Sequence, residues 1–93
     1  MSLALPSARR VLVTGAGRGI GRTIAEAFLR ERSRVVALDV STEALTWFEE
    51  AREQAGLSGG AYACDVSDTA SVTSVITEVV TEHGQIDVLI NNA

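Results

Sequence analysis

Two hydrophobic rhythms alternate along this chain. Val11-Leu-Val-Thr14, Arg34-Val-Val-Ala-Leu-Asp39 and Ile86-Asp-Val-Leu-Ile90 are short, near-continuous apolar runs, the mark of strands buried on both faces. Ala61-Tyr-Ala-Cys-Asp65, after a Gly59-Gly60 break, reads as a further strand between the last two of these. In the intervening segments the period lengthens to that of a helix. Residues 20, 24, 25, 28 and 29 form one stripe within Gly19–Arg32; Leu45, Phe48, Ala51 and Ala55 form a second; Val72, Val75, Ile76, Val79 and Val80 form a third. Ser41 or Thr42 is expected to cap the second helix. Ser67 is expected to cap the third, with Asp68 in its first turn and His83-Gly84 at its end, the glycine left-handed. The predicted order is β-α-β-α-β-α-β.

Strands of this kind alternating with helices give a parallel sheet, and right-handed crossovers turn it into a doubly wound α/β layer. A chain of 93 residues allows a single unit, 1–93, with residues 1–8 expected to be a flexible leader. No apolar run reaches the ~18 residues of a membrane span, and nothing near Met1 has the form of a secretory signal. One cysteine, Cys64, excludes an internal disulfide and a multi-cysteine zinc site. The expected compartment is therefore the cytoplasm, and no metal site is expected.

Charge narrows the chemistry further. Every basic residue is arginine, so no lysine is available for catalysis or for phosphate binding. Residues 1–34 hold seven arginines against Glu26 and Glu31, whereas residues 35–93 hold Arg52 against ten acids. The net charge of −4 disfavours a nucleic-acid or membrane partner, but the basic first third suits a ligand bearing phosphate.

In doubly wound sheets, ligands sit beyond the carboxyl ends of the strands. That rule marks the loop after Thr14, then Asp39, Asp65 and Asn91. The loop is Thr14-Gly-Ala-Gly-Arg-Gly-Ile-Gly21, with glycines spaced G-x-x-x-G-x-G at 15, 19 and 21. It is neither a P-loop nor the G-x-G-x-x-G fingerprint. Glycines there admit positive φ and close approach of backbone to a ligand, and the following helix offers unpaired N–H groups to a phosphate. A tight turn with no ligand would explain the glycines alone. Asp39, eighteen residues past Gly21, favours the ligand, because an acid at the end of the second strand can accept both hydroxyls of a ribose. Its plain alternative is a helix-initiating acid ahead of Ser41.

These landmarks together resemble the short-chain dehydrogenase/reductase family: Thr14-Gly-x-x-x-Gly-x-Gly21, an acid after the second strand, Cys64-Asp65-Val66 after the third, and Asn91-Asn92-Ala93 after the fourth. The resemblance implies a partial Rossmann-type fold and a nicotinamide dinucleotide as cofactor. Gly15, Gly19 and Gly21 would form the turn under the pyrophosphate, lined by Arg18 and Ile20. Asp65 would bond the adenine amino group with Val66 beside the ring. Asn91 and Asn92 would sit on the ribose side and brace the sheet. Asp39 repels a 2′-phosphate and points to NAD, whereas Arg18 stands where some family members bind NADP; the carboxylate acts directly, so NAD is expected over NADP.

The resemblance also implies hydride transfer between the nicotinamide and an alcohol or carbonyl, with a tyrosine, a lysine four residues on, and a serine. None of these maps here, since Tyr62 is followed four residues later by Val66. No catalytic residue is therefore expected in this chain, which reads as the cofactor-binding front of an oxidoreductase, truncated after Asn-Asn-Ala and inactive alone. The complete enzyme is expected to form a homo-oligomer and to act on a small molecule. The competing reading is a stand-alone dinucleotide-binding or regulatory module. Cys64 is expected to be a buried hydrophobe, His83 a helix-terminal residue, and only one of Trp47 and Phe48 can point fully inward. The fourth strand is expected to be an open apolar edge.

Overall fold

The computed structural model describes residues 9–92, so the expected leader at 1–8 lies outside the described residues. Its elements are β1 (Arg10–Thr14), α1 (Gly19–Arg30), β2 (Arg34–Asp39), a single 3-10 turn (Glu43–Leu45), α2 (Thr46–Ala55), β3 (Gly59–Ala63), α3 (Thr69–His83) and β4 (Val88–Ile90). The strands form one parallel sheet in the order β3-β2-β1-β4. The chain winds outward from β1 to β3, then returns to place β4 on the other side of β1.

The alternation within the strands decides what each helix covers. Val11, Val13, Val35 and Ala37 face Ala25 and Leu29 of α1 and Phe48 of α2. Leu12, Val36 and Leu38 face the opposite way, onto Val75 and Val79 of α3. Two helices on one face and one on the other make the sheet doubly wound, as the sequence pattern predicts. The aromatic pair divides as expected: Phe48 is fully buried and Trp47 only partly so. Among the described residues no helix is long and apolar enough to cross a membrane.

Several boundaries differ from the sequence reading. β3 begins at Gly59 rather than at Ala61, so the glycine pair opens the strand instead of breaking the chain. A Cβ at Gly59 would lie 2.2 Å from the Val35 carbonyl, and its φ of 139° is one that glycine adopts readily. Cys64 and Asp65 then lie just past the strand. α1 stops at Arg30 rather than Arg32, because Ser33 N–H closes back onto the Phe28 carbonyl at 3.1 Å while Arg32 takes a φ of 63°. Neither Ser41 nor Thr42 caps α2, whose N-cap is Leu45: the 3-10 turn intervenes, with Thr42 at its N-cap making no side-chain cap, and the Ser41 hydroxyl accepts from Ala44 N–H of that turn at 3.3 Å.

The cap of α3 is Asp68, not Ser67. The Asp68 carboxylate accepts from the N–H groups of Ala70 at 3.0 Å and Ser71 at 3.3 Å. Such a cap contributes about 1 kcal/mol. Gly84 ends the helix with φ 85° and ψ −168°, a glycine conformation outside the left-handed helical region expected of it. β4 is shorter than expected, because Asp87 brackets the Arg10 backbone, donating N–H to its carbonyl and accepting its N–H at Oδ2, both at 2.9 Å. The ladder proper starts one residue later, with Val88 opposite Val11.

Candidate functional site

The order of the strands reverses between β1 and β4. A crevice outside the carboxyl ends of the strands at such a reversal is where open α/β sheets bind ligands. Here the β1–α1 loop and the residues after β4 meet. Thr14 lies at the centre: its hydroxyl is 3.4 Å from both the Ile90 carbonyl and Asn91 Oδ1, and it accepts from Asn92 N–H at 2.9 Å. Asn92 Nδ2 reaches back to the Gly15 carbonyl at 3.5 Å. The two asparagines therefore brace the start of the glycine loop, whereas the sequence reading has them brace the sheet.

The loop needs its glycines for different reasons. Gly15 and Gly19 have φ of 64° and 59°, where a side chain is strained. Gly21 is a matter of contact. A Cβ there would lie 2.0 Å from the Gly15 carbonyl oxygen, so α1 can pack this tightly on the turn only with no side chain. Arg18 stands at the N-cap of α1 without making a side-chain cap, so the first N–H groups of the helix lack a side-chain acceptor. Arg18 and Ile20 both point outward, Ile20 being 72% exposed. A large apolar residue left in water beside unpaired amides is what a loop open to a ligand would show.

Asp39 closes the second side. Its Oδ2 accepts from Gly17 N–H at 2.9 Å and its Oδ1 from Ser41 N–H at 3.1 Å. Each oxygen thus keeps a lone pair for another donor, and the carboxylate is held in one orientation. A cleft of about 210 Å³ runs from Gly15 past Leu38, Asp39 and Val40 to Cys64, Asp65 and Val66. Asp65 is tied into its own turn, Oδ1 accepting from the Ser67 hydroxyl at 2.6 Å and from its N–H at 3.0 Å. These bonds hold its carboxyl below the usual carboxylate range. Val66 lies exposed at the rim. Cys64 is buried in the core beside Val75, consistent with its reading as a small hydrophobe.

The structure thus gathers Gly15, Asp39, Asp65 and Val66 around one cleft, with Asn92 on the Gly15 carbonyl and Asn91 on Thr14. Two contributors were outside the candidate set. Gly17 supplies the N–H that holds Asp39; its place within the glycine cluster was a signal that the G-x-x-x-G-x-G spacing passed over. Trp47 donates its indole N–H to the Ala16 carbonyl at 3.2 Å. No motif marks it, since the contact spans 31 residues and depends on how α2 lies across the sheet.

A doubly wound parallel sheet with a glycine loop, an unpaired helix start and an acid at the end of β2 defines a Rossmann-type nucleotide fold. The sequence pattern of the family described as short chain dehydrogenase matches residues 9–93, and the chain belongs to that family. It is 40% identical over 85 residues to sorbitol dehydrogenase of Cereibacter sphaeroides, covering 91% of this chain and 32% of the relative. Identity to D-threitol dehydrogenase of Mycolicibacterium smegmatis is 42% over 85 residues, covering 88% and 32%. Among solved structures, NAD+-bound xylitol dehydrogenase superposes with a TM-score of 0.85 at 36% identity, covering 91% of this chain and 33% of that one. A metagenomic short-chain oxidoreductase in complex with NADP gives 0.85 at 37%, covering 95% and 41%. The chain spans about a third of the length of the curated relatives it matches.

Proposed function

We propose that this chain binds the adenosine and pyrophosphate of NAD, and that the whole protein is an oxidoreductase moving hydride between nicotinamide and a small alcohol or carbonyl compound. The observation that carries this is the placement of Asp39: fixed by two backbone N–H groups, it opens onto the same cleft as Gly15, Asp65 and Val66. In this reading Gly15, Gly19, Ile20 and Gly21 cradle the pyrophosphate against the α1 N-terminus. Asp39 accepts the ribose hydroxyls, Asp65 accepts the adenine amino group, and Val66 covers the ring. Asn91 and Asn92 hold the loop from the ribose side.

The bound dinucleotide supplies the hydride chemistry. This chain's own residues bind and orient it; no catalytic acid or base is assigned among them. The named activities of the sorbitol, threitol and xylitol relatives support a polyol or related alcohol as substrate of the whole protein. From the family resemblance and the single cysteine we also assign the whole protein as a cytoplasmic homo-oligomer without a membrane partner, and its net charge of −4 argues against a nucleic-acid partner.

NAD is favoured over NADP because a 2′-phosphate would meet the Asp39 carboxylate, although Arg18 offers an exposed positive charge at the adjacent loop. The test is calorimetric titration of NAD+ and NADP+ into the chain and into Asp39→Ser. Losing hydrogen bonds to a charged acceptor should weaken NAD+ about tenfold or more. NADP+ should lose no affinity, so the preference collapses. An unchanged NAD+/NADP+ ratio in Asp39→Ser overturns the assignment.

A further inference from the structure

We propose that Trp47 is a positioning residue for the dinucleotide loop, acting on the single peptide unit that joins Ala16 to Gly17. The carbonyl of that unit accepts from Trp47 Nε1–H at 3.2 Å. Its N–H donates to Asp39 Oδ2 at 2.9 Å. A peptide group is planar, with its carbonyl and N–H pointing in opposite directions. Trp47 and Asp39 therefore grip one rigid plate from opposite sides. Rotation of the plate would break both bonds together, so the orientation of the Asp39 carboxylate depends on an indole that never touches the cleft.

The surroundings reinforce the grip. The Arg22 guanidinium stacks over the Trp47 ring at 4.7 Å from its centre, and Phe48 meets the ring edge-on, with centres 5.7 Å apart. At Gly17 a Cβ would lie 2.5 Å from Ala44 Cβ and 2.7 Å from Asp39 Oδ2, so the absence of a side chain lets the 3-10 turn close down on the plate. The turn that leads into α2, the first turn of α2 and the start of α1 thus converge on the loop. The inference rests on the cofactor reading above, because it assigns Trp47 an effect on which dinucleotide is preferred as well as on how tightly it binds.

The experiment compares the chain with Trp47→Phe, which keeps an aromatic ring but removes the donor. Circular dichroism establishes that the variant folds, and NAD+ and NADP+ are titrated by calorimetry. The expected result is a three- to tenfold loss of NAD+ affinity, the range of about one hydrogen bond, together with a smaller NAD+/NADP+ ratio. General destabilisation would lower both affinities equally and leave the ratio alone. Equal ratios, or unchanged NAD+ affinity, in a folded Trp47→Phe overturn the proposal. If Trp47→Phe does not fold, the indole N–H resonance of the unaltered chain decides. Slower exchange with solvent on adding NAD+ supports the proposal, and no change overturns it. Failure of the unaltered chain to bind either dinucleotide overturns the cofactor reading, and the assignment to Trp47 falls with it; binding with no effect at Trp47 overturns that assignment alone.

Discussion

Gly21 shows how one atom controls the loop. Its missing Cβ leaves room for the Gly15 carbonyl oxygen, which a methyl group would approach to 2.0 Å, and for Asn92 Nδ2, which it would approach to 2.7 Å. The amide ends an exposed side chain and can swing aside, but the carbonyl is backbone and cannot withdraw without opening the turn. Gly21→Ala is expected to cost about 1–3 kcal/mol, the range of overpacking, and to remove NAD+ binding. Gly56→Ala is the control, because nothing lies within 4 Å of a Cβ there and only the φ of 66° is penalised. Thermal denaturation of the two variants should rank Gly21→Ala well below Gly56→Ala; equal melting temperatures would show that the loop yields. The need for glycine at 21 was legible from the motif. Its cause was not, because the clash is with a residue across the turn.

At the scale of elements, α3 is tied to the edge of the sheet through Tyr62 of β3. The Tyr62 hydroxyl bonds Glu82 Oε2 at 2.7 Å and His83 Nε2 at 2.8 Å. Burial, and then the neighbouring Glu82 carboxylate, raise the ionisation of the phenol well above its usual value of 10.0. The unfolded chain therefore releases this proton first as pH rises. Stability from Tyr62 is fully present below pH 10 and drains away above it, toward the raised folded value. The melting temperature of the unaltered chain should fall more between pH 9 and pH 11 than that of Tyr62→Phe. Parallel falls would mean that the phenol carries no such linkage. The sequence placed Tyr62 on a strand and His83 at a helix end. Their meeting depends on the register of β3 and the length of α3, which no local pattern fixes.

Across the whole molecule, coverage of the sheet is uneven. Leu89 points to the same face as its ladder partner Leu12, yet it is 63% exposed while Leu12 is buried. Ile76 and Val80 of α3 are exposed as well. β4 has β1 on one side and, among the described residues, no strand on the other. An apolar edge strand beside a bare face favours association. The 93-residue chain is expected to sediment as dimers or larger species at high micromolar concentration, and Leu89→Lys to shift it toward monomer. A clean monomer in the unaltered chain would refute this.

The amino-acid sequence by itself determined the alternation of strands and helices, the glycine loop, the acids and the asparagines that end the strands, and with them the family. These are local features: an apolar period, a spacing, a residue type at a turn. Tertiary structure alone decided which of them converge. It set the order β3-β2-β1-β4 that brings Asn91 and Asn92 to Thr14 and Gly15. It brought Trp47, from the far side of β2, onto the Ala16 carbonyl. The physical reason is the same in both cases. Each is a hydrogen bond between residues 31 or 77 apart, whose meeting depends on how helices and strands pack.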